Sequence, residues 1–198
     1  MRLLQSSASP FSAKVRLAAR HCGVDLELVA TATGEEPELL MTNNPLGKIP
    51  VLLTDEGLGL YDSAVITDYL DTVGEKRLFP ADAAGRARVK ILEALADGIA
   101  EAVVLIVYEK RNRPPEMQYQ AAIDKQRDRA WRGLAALEAA PPAQDSELTA
   151  GDFAIAAVLS YLELRLPEWR ADFPSLAAFH DRFAARFAAF DELKSRAA

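Results

Sequence analysis

Ser9 stands between a short apolar strand and a helix, where a hydroxyl group can act on a bound anion. Leu3-Leu4 is the predicted strand, and Ser9-Pro10-Phe11 opens the helix, because proline suits a first turn whose N–H groups have no intrahelical acceptor. A hydroxyl at this end of a helix can donate a hydrogen bond to a thiolate and lower the pKa of that thiol. Taken alone, the segment favours the simpler interpretation that Ser9 only caps the helix.

A proline-containing loop precedes a later strand. Its sequence is Asn44-Pro45-Leu46-Gly47-Lys48-Ile49-Pro50, and the apolar Val51-Leu52-Leu53 follows. A cis Ile49–Pro50 bond would present the main-chain N–H and C=O of a neighbouring residue to an extended peptide, which would pair with them like a strand. Without further context, a trans proline at a strand start and a solvated Lys48 are the commoner arrangement.

Asp62-Ser63 begins another predicted helix and offers a second set of polar groups. An acidic residue followed by a hydroxyl is typical of a helix cap, and taken alone the pair favours that interpretation. The same pair would also hold an α-amino-acid head group. Asp62 would bind the ammonium, and the Ser63 hydroxyl with the first N–H groups of the helix would bind the carboxylate.

The elements that position these motifs alternate between strand and helix, in the order βαβ and then ββα. The first helix ends near Gly23, a residue typical of a helix C-terminus, and a strand over 26–30 follows. This unit is long enough for a parallel crossover. Two short strands around Thr54-Asp55-Glu56-Gly57 predict a hairpin, and apolar residues at helical spacing follow Asp62.

The rest of the chain is predicted to be all helical, because no strand pattern is found after Lys76. Helices are expected over about 85–112, 116–139 and 153–164, and Phe173-Pro174 begins a last helical pair. Thr149 and Asp152 have the spacing of a capping box, and we expect both to be structural. The chain therefore divides into an α+β domain over 1–77, a linker over 78–84 and an all-α helical bundle domain over 85–198.

Composition and charge exclude several classes of function. The chain has 198 residues, a net charge of -6 and no basic tract, which argues against a nucleic-acid partner. Its single cysteine, Cys22, cannot form a disulfide within the chain, and the longest apolar run, 102–108, is too short to span a bilayer. We expect a cytoplasmic protein with no membrane partner. No metal is expected either, because His21 and His180 have no ligand spacing around them.

In their order and setting, the motifs resemble those of the glutathione transferases. The resemblance covers the whole chain and is closest to the small bacterial transferases with a Ser-Pro-Phe motif, in which Glu93-Ala94-Leu95-Ala96-Asp97-Gly98 is also a familiar stretch. It implies a thioredoxin-like N-terminal domain followed by an all-α helical bundle. It also implies a homodimer, and glutathione as a co-substrate with no cofactor.

The resemblance further implies roles for the motif residues. In the family, the bond matching Ile49–Pro50 is cis, and the main chain of the residue matching Ile49 pairs with the cysteinyl part of glutathione. The residues matching Asp62 and Ser63 hold the γ-glutamyl head, and the Lys48 position often meets the glycyl carboxylate. In the serine-using classes, the residue matching Ser9 activates the thiol, so Ser9 is the expected catalytic residue.

The resemblance assigns no residues to the electrophile pocket, and this chain departs from the family pattern at several positions. Phe11 and Tyr108 are candidates for lining the pocket, although core or surface roles fit them equally. The basic cluster Lys110-Arg111-Asn112-Arg113 either complements a helix dipole or lies at the mouth of that pocket. Many relatives carry Glu or Gln at Asp62, and a side chain one methylene shorter would loosen the ammonium contact. The chain also lacks the Ser-Ser-Cys motif of zeta-type enzymes and the cysteine that omega-type members have at Ser9.

The leading hypothesis is an enzyme that conjugates the glutathione thiolate to a small electrophile. One alternative is a non-catalytic scaffold or regulator, against which the retained Ile49-Pro50 and Asp62-Ser63 argue. Another is a glutathione-dependent peroxide or disulfide reductase, since attack by the thiolate is the shared step. The sequence does not identify the electrophile, because residues of the helical part follow no motif that reports on it.

Overall fold

One mixed sheet of four short strands lies in the N-terminal part of the structure. The computed structural model describes residues 1–142 and 147–197. The strands are β1 (Arg2–Gln5), β2 (Glu27–Ala30), β3 (Val51–Leu53) and β4 (Gly59–Leu60). β1 pairs in parallel with β2 and antiparallel with β3, and β3 pairs antiparallel with β4, so the order is β2-β1-β3-β4.

Three helices cover the two faces of this sheet. They are α1 (Pro10–His21), α2 (Glu38–Asn43) and α3 (Ser63–Val73). Successive strand residues point to opposite faces, so Leu3 joins the large core with α1 and α3, whereas Leu4 packs with Leu40 of α2. α1 ends before Gly23, whose φ of +73° belongs to the left-handed region that glycine adopts easily.

The C-terminal part consists of helices. They are α4 (Ala83–Asn112), α5 (Gln120–Ala139), α6 (Ala150–Arg165), α7 (Trp169–Asp172), α8 (Pro174–Arg186) and α9 (Phe190–Leu193). Every residue of α6 from Ala150 to Leu162 is buried, as expected for a helix that is apolar all round. α6 packs against both α4 and α1, so the sheet and the helices share one continuous core.

The predicted fold class, a thioredoxin-like α+β part followed by an all-helical part, is confirmed. Within residues 1–142 and 147–197, no strand follows Leu60. The predicted second long helix starts later than expected, at Gln120, because Pro115–Met117 forms a separate 3-10 turn. α4 starts earlier, inside the predicted linker, because the Asp82 carboxylate caps it by accepting from the Gly85 N–H at 2.8 Å. The domain boundaries at 77 and 85 stay predictions.

Two further expectations concern local structure and membranes. The predicted capping box is present at the start of α6, where the Asp152 carboxylate accepts from the Thr149 N–H at 2.8 Å and from its hydroxyl at 2.6 Å. Among the helices that the structure describes, none combines the length and the apolar character needed to cross a bilayer.

Candidate functional site

The strand register brings the three sequence motifs to one edge of the sheet. The last residues of β1 and β4 pair with the first residues of β3, so these two strands end where β3 begins. Ser9 follows β1, Ile49 precedes β3 and Asp62 follows β4. All three motifs therefore border the same edge, which is the arrangement that one extended ligand needs in order to touch each of them.

Ser9 is the N-cap of α1. It has extended backbone angles, and its hydroxyl oxygen accepts a hydrogen bond from the Ser12 N–H at 3.2 Å. A hydroxyl that accepts one bond keeps its own hydrogen for donation, so capping the helix and donating to a thiolate are compatible roles. Ser9 is half-buried, and a ligand thiolate placed there would meet both the O–H and the positive end of the α1 dipole.

The loop before β3 is organised by the buried side chain of Asn44. Its amide nitrogen donates to the Lys48 C=O at 2.8 Å, and its amide oxygen accepts from the Leu46 N–H at 3.0 Å. The Ile49–Pro50 peptide bond is cis. Ile49 precedes the paired residues of β3, which begin at Val51, so its main-chain groups are not used by the sheet. The Lys48 side chain is exposed.

Asp62 and Ser63 form the N-terminal end of α3. One Asp62 carboxylate oxygen accepts from the Ala64 N–H at 3.0 Å and from the Ser63 hydroxyl at 3.1 Å. The N–H groups of Ser63 and Val65 lie in the first turn, where no intrahelical acceptor exists. The pair is thus a cap, as its sequence alone suggests. It also keeps one carboxylate oxygen and two N–H groups that the cap does not use.

A buried polar network lies behind this end of the sheet and joins α1 to α4. The Lys14 ammonium contacts the Glu93 carboxylate at 3.1 Å and the Asp97 carboxylate at 2.7 Å. The Thr67 hydroxyl of α3 donates to the same Glu93 oxygen at 2.6 Å. The Lys14 side chain is 1 % exposed and that of Asp97 is 22 % exposed, so the network opens to the surface on the Asp97 side.

Asp97 is electrostatically linked to the end of α3. The pKa of its carboxyl is raised to about 6, first by burial and then by the Glu93 and Asp62 carboxylates, while the Lys14 ammonium acts in the opposite direction. Asp62 is therefore near enough for its charge to be felt at Asp97. The single Lys14 ammonium faces both Glu93 and Asp97, so the open side of the network near Asp62 keeps excess negative charge that would attract a further ammonium group.

The candidate pocket residues Phe11 and Tyr108 lie on different helices. Phe11 is in the first turn of α1 and packs against the main core, whereas Tyr108 is near the C-terminal end of α4 and is 42 % exposed. The Arg111 guanidinium lies over the Tyr108 ring, 4.7 Å from its centroid. A cavity of about 160 Å³ between α4 and α5 is lined by neither candidate. The electrophile pocket stays a prediction.

Sequence reasoning missed the roles of Asn44, Lys14 and Asp97. A lysine inside the apolar stripe of α1 was a usable signal, because a buried ammonium needs anionic partners. The spacing of Glu93 and Asp97, four residues apart on one helix, was another. Cys22 is buried as expected, and burial raises the pKa of its thiol to about 11, which leaves it unreactive at neutral pH.

Family models match two parts of the chain. The N-terminal domain of glutathione S-transferases matches residues 8–73, and their C-terminal domain matches residues 120–182. The chain is also 31 % identical to the uncharacterized GST-like protein YibF of Escherichia coli K12, over 94 % of this chain and 95 % of that protein. The chain belongs to the glutathione S-transferase family.

Solved structures of other family members are close to this one along nearly the whole chain. A glutathione S-transferase of Methylobacillus flagellatus KT with glutathione bound has a TM-score of 0.90 at 36 % identity, over 98 % of this chain and 99 % of that one. A glutathione transferase family member of Pseudomonas fluorescens Pf-5, also with bound glutathione, has a TM-score of 0.90 at 38 % identity, over 99 % of both chains. This member of the glutathione S-transferase family thus shares its backbone fold with relatives whose structures contain glutathione.

Proposed function

We propose that this glutathione S-transferase binds glutathione along the edge formed by the starts of β3 and α3, and transfers the thiolate to a small electrophile. The observation that carries the proposal is the meeting of Ser9, Ile49 and Asp62-Ser63 at one sheet edge. Glutathione is an extended peptide with an α-amino-acid head, a thiol in its middle and a terminal carboxylate. Those three features match, in order, an ion-binding helix end, a hydroxyl donor and the exposed Lys48.

The chemistry proposed for the site is stabilisation of a thiolate. The Ser9 O–H donates to the sulfur, and the N-terminal end of α1 favours negative charge there, so the thiol loses its proton to solvent more readily. The thiolate then attacks the electrophilic carbon, a C–S bond forms, and the leaving group departs with the electron pair. The protein forms no covalent bond with either substrate. Its contribution is to orient the reactants and to provide fixed dipoles.

The ammonium of glutathione is placed between Asp62 and Asp97, and its carboxylate at the N–H groups of Ser63 and Val65. In the family, a longer Glu or Gln commonly stands at Asp62, which leaves this chain with a shorter reach. Asp97 supplies a second negative charge on the open side of the buried network. The shorter Asp62 is therefore balanced by a carboxylate on α4 that the sequence did not single out.

Replacing Asp62 and Ser63 together by alanine is expected to weaken glutathione binding by about 100-fold. The change removes the Asp62 carboxylate and the Ser63 hydroxyl but keeps the main-chain N–H groups, and hydrogen bonds to charged groups contribute about 1.5–3 kcal/mol each. Isothermal calorimetry with reduced glutathione measures the loss. The matched control is Glu56→Ala, which removes an exposed carboxylate from the neighbouring hairpin turn.

Binding of glutathione to wild type and to Glu56→Ala, but not to the double variant, would support the proposed site. The double variant also loses a helix cap worth about 1 kcal/mol, so circular dichroism must first show that it is folded. Undiminished binding to the folded double variant would contradict the head-group assignment. No binding to wild type at millimolar glutathione would favour the non-catalytic scaffold.

Glutathione affinity is expected to fall as the pH drops below about 6. The Asp97 pKa of about 6 means that this carboxylate is ionised at neutral pH and becomes neutral below that value, so its attraction for the ammonium is lost. Calorimetric titrations between pH 5 and pH 8 measure the effect. Asp97→Asn, which is neutral throughout, is the control. Its affinity should already be low at pH 8 and should change less over the range. Parallel profiles in the two proteins would remove Asp97 from the site.

The reductase alternative is separated from conjugation by the products formed. Conjugation consumes one glutathione for each electrophile and yields a thioether, whereas reduction consumes two glutathione molecules and yields their disulfide. Incubating the protein with a chloro-nitroaromatic electrophile, and separately with an organic hydroperoxide, distinguishes the two by mass spectrometry. The serine at position 9 favours conjugation, because it cannot hold glutathione as a mixed disulfide.

We propose that the protein is a homodimer that associates through α3 and α4. The support is apolar surface on both helices, where Val65 is 47 % exposed and Ile91 is 65 % exposed. Ile91→Glu should shift the protein from dimer to monomer in sedimentation equilibrium, because it places a charge in an apolar contact. Leu28→Glu, on the exposed edge strand β2, is the control. Monomeric wild-type protein would remove this proposal.

A further inference from the structure

Arg16 of α1 is a buried arginine that binds main-chain carbonyl groups from two distant parts of the chain. The residue is 5 % exposed. Its guanidinium donates to the carbonyls of Leu193 at 2.9 Å, Ser6 at 3.2 Å, Lys194 at 3.2 Å and Ser7 at 3.5 Å, and to the Gln5 side-chain oxygen at 2.5 Å. It thereby ties the loop after β1 to the C-terminal segment that follows α9.

The same two parts of the chain are also joined directly. The Arg196 N–H donates to the Ser7 C=O at 3.0 Å, so Ser7 is bound from the α1 side and from the C-terminal side. The loop continues without a break into the N-cap of α1, and the Ser9 N–H donates to the Ser6 C=O at 3.2 Å. Two of the carbonyls held by Arg16, those of Ser6 and Ser7, are therefore within three residues of Ser9.

The positive charge of Arg16 has no carboxylate partner in the part of the chain that the structure describes. Burial and, to a smaller extent, the nearby Arg196 charge together lower the pKa of its guanidinium to about 10. Arg16 is still ionised at neutral pH. Within residues 1–142 and 147–197 this charge is held by uncharged oxygens alone, so its field reaches the loop that carries Ser9.

We propose that Arg16 is a positioning residue for thiol activation, which fixes the Ser6–Ser9 loop against the C-terminal segment and places a buried positive charge beneath it. This inference rests on the proposed function, because the group acted upon is the glutathione thiolate at Ser9. The Ser6–Ser9 loop contains no strand or helix, and its hydrogen bonds to the Arg16 guanidinium hold it in place. The charge adds to the α1 dipole in favouring the ionised sulfur.

The test compares Arg16→Met, which removes the charge and all five donated bonds, with Arg16→Lys, which keeps the charge. The control is Arg20→Met, an exposed arginine one turn further along the same helix. The first readout is the pKa of bound glutathione, from its thiolate absorbance as a function of pH. Arg16→Met should raise that pKa by up to about one unit, because at an effective dielectric constant of about 20 a unit charge changes a pKa by roughly one unit over about 10 Å. Arg16→Lys should raise it by less, and Arg20→Met should not change it.

The second readout is hydrogen–deuterium exchange of residues 5–12 in the protein without glutathione. Both Arg16 variants should increase exchange in this segment, as should truncation after Leu193, which removes the Lys194 carbonyl and the Arg196 N–H but keeps Arg16. If Arg16→Met does not fold, Arg16→Lys and the truncation carry the test.

The outcomes separate this inference from the proposed function. Wild-type protein that does not bind glutathione would remove the proposed function, while exchange would still report on the loop. The role of Arg16 alone would be overturned if the wild-type protein lowers the pKa of the glutathione thiol but the folded Arg16 variants leave both this pKa and the hydrogen–deuterium exchange unchanged.

Discussion

Ser9→Ala is expected to lower the turnover of the proposed glutathione conjugation by about 100-fold or more, and to change the affinity for glutathione by much less. Removing one donor aimed at a developing or resident negative charge typically costs a factor of about 10²–10³ in turnover. The affinity should change little because the other proposed contacts remain, those of Ile49 to the cysteinyl main chain and those of Asp62 and Ser63 to the γ-glutamyl head. Stopped-flow or steady-state kinetics with a nitroaromatic electrophile measure turnover, and calorimetry measures affinity.

The experiment must separate the proposed catalytic role of Ser9 from its role as a helix cap, because the Ser9 hydroxyl oxygen also accepts a hydrogen bond from the Ser12 N–H at 3.2 Å. Replacing an N-cap serine by alanine costs about 0.5–2 kcal/mol of stability, whereas glycine at the same position costs only a few tenths. Ser9→Gly is therefore the matched variant: it lacks the hydroxyl but keeps most of the cap. Ser9→Thr keeps both functions.

The expected pattern is that alanine and glycine variants lose turnover equally while differing in the free energy of unfolding, and that the threonine variant keeps most of its turnover. If turnover instead correlates with the free energy of unfolding across the three variants, so that the glycine variant is nearly as active as wild type, Ser9 acts only as a helix cap. The thiol pKa of bound glutathione gives an independent reading. It should rise in the alanine and glycine variants, since each lacks the hydrogen bond to the thiolate.

The fold follows from local patterns that the sequence displays plainly. Short runs of consecutive apolar residues predict β1 and β3, and helical spacing predicts α1, α3 and the long α4. The places of disagreement are helix starts, where a single cap decides the boundary. Asp82 begins α4 before the expected residue, and the Pro115–Met117 turn delays α5. Such boundaries depend on hydrogen bonds of one side chain, which hydrophobic spacing does not report.

The candidate site was predictable only as far as its motifs are contiguous in sequence. Ser9, Ile49 and Asp62 each stand in a short recognisable segment. By contrast, Lys14 and Glu93 lie 79 residues apart, and Arg16 and Leu193 lie 177 residues apart. A lysine or an arginine in an apolar stripe indicates that a polar partner must lie nearby. Which residue is the partner depends on how α1 packs against α4 and the C-terminal segment. Tertiary packing, not local pattern, selects those partners.

Lys14→Met should destabilise the protein by about 3–5 kcal/mol, the typical cost of removing one partner from a buried ion pair. The Lys14 ammonium is 1 % exposed and contacts both the Glu93 and the Asp97 carboxylates. Methionine has a similar length and fills the space, so the loss comes from two carboxylates left without a cation. Urea denaturation at pH 7, followed by circular dichroism, measures the change in the free energy of unfolding.

The triple variant Lys14→Met, Glu93→Gln, Asp97→Asn separates the cost of uncompensated charge from the cost of lost packing. Amides in place of the carboxylates remove the unpaired charges while keeping the side-chain shapes and the acceptor for the Thr67 hydroxyl. The triple variant should recover most of the stability lost by Lys14→Met. A triple variant no more stable than the single one would show that Lys14 acts through its contacts and not through its charge.

The difference in unfolding free energy between wild type and Lys14→Met is expected to depend on pH. The Asp97 pKa is raised to about 6 in the folded protein, above its ordinary value, so folding takes up a proton when the pH falls from about 7 towards 4. Without the Lys14 ammonium, which lowers that pKa, the shift in the variant must be larger. The stability difference between wild type and Lys14→Met should therefore shrink as the pH is lowered towards and through 6, because a protonated Asp97 carboxyl no longer needs the cation. A difference that stays constant between pH 7 and pH 5 would place the origin of the destabilisation outside the Lys14, Glu93 and Asp97 charges.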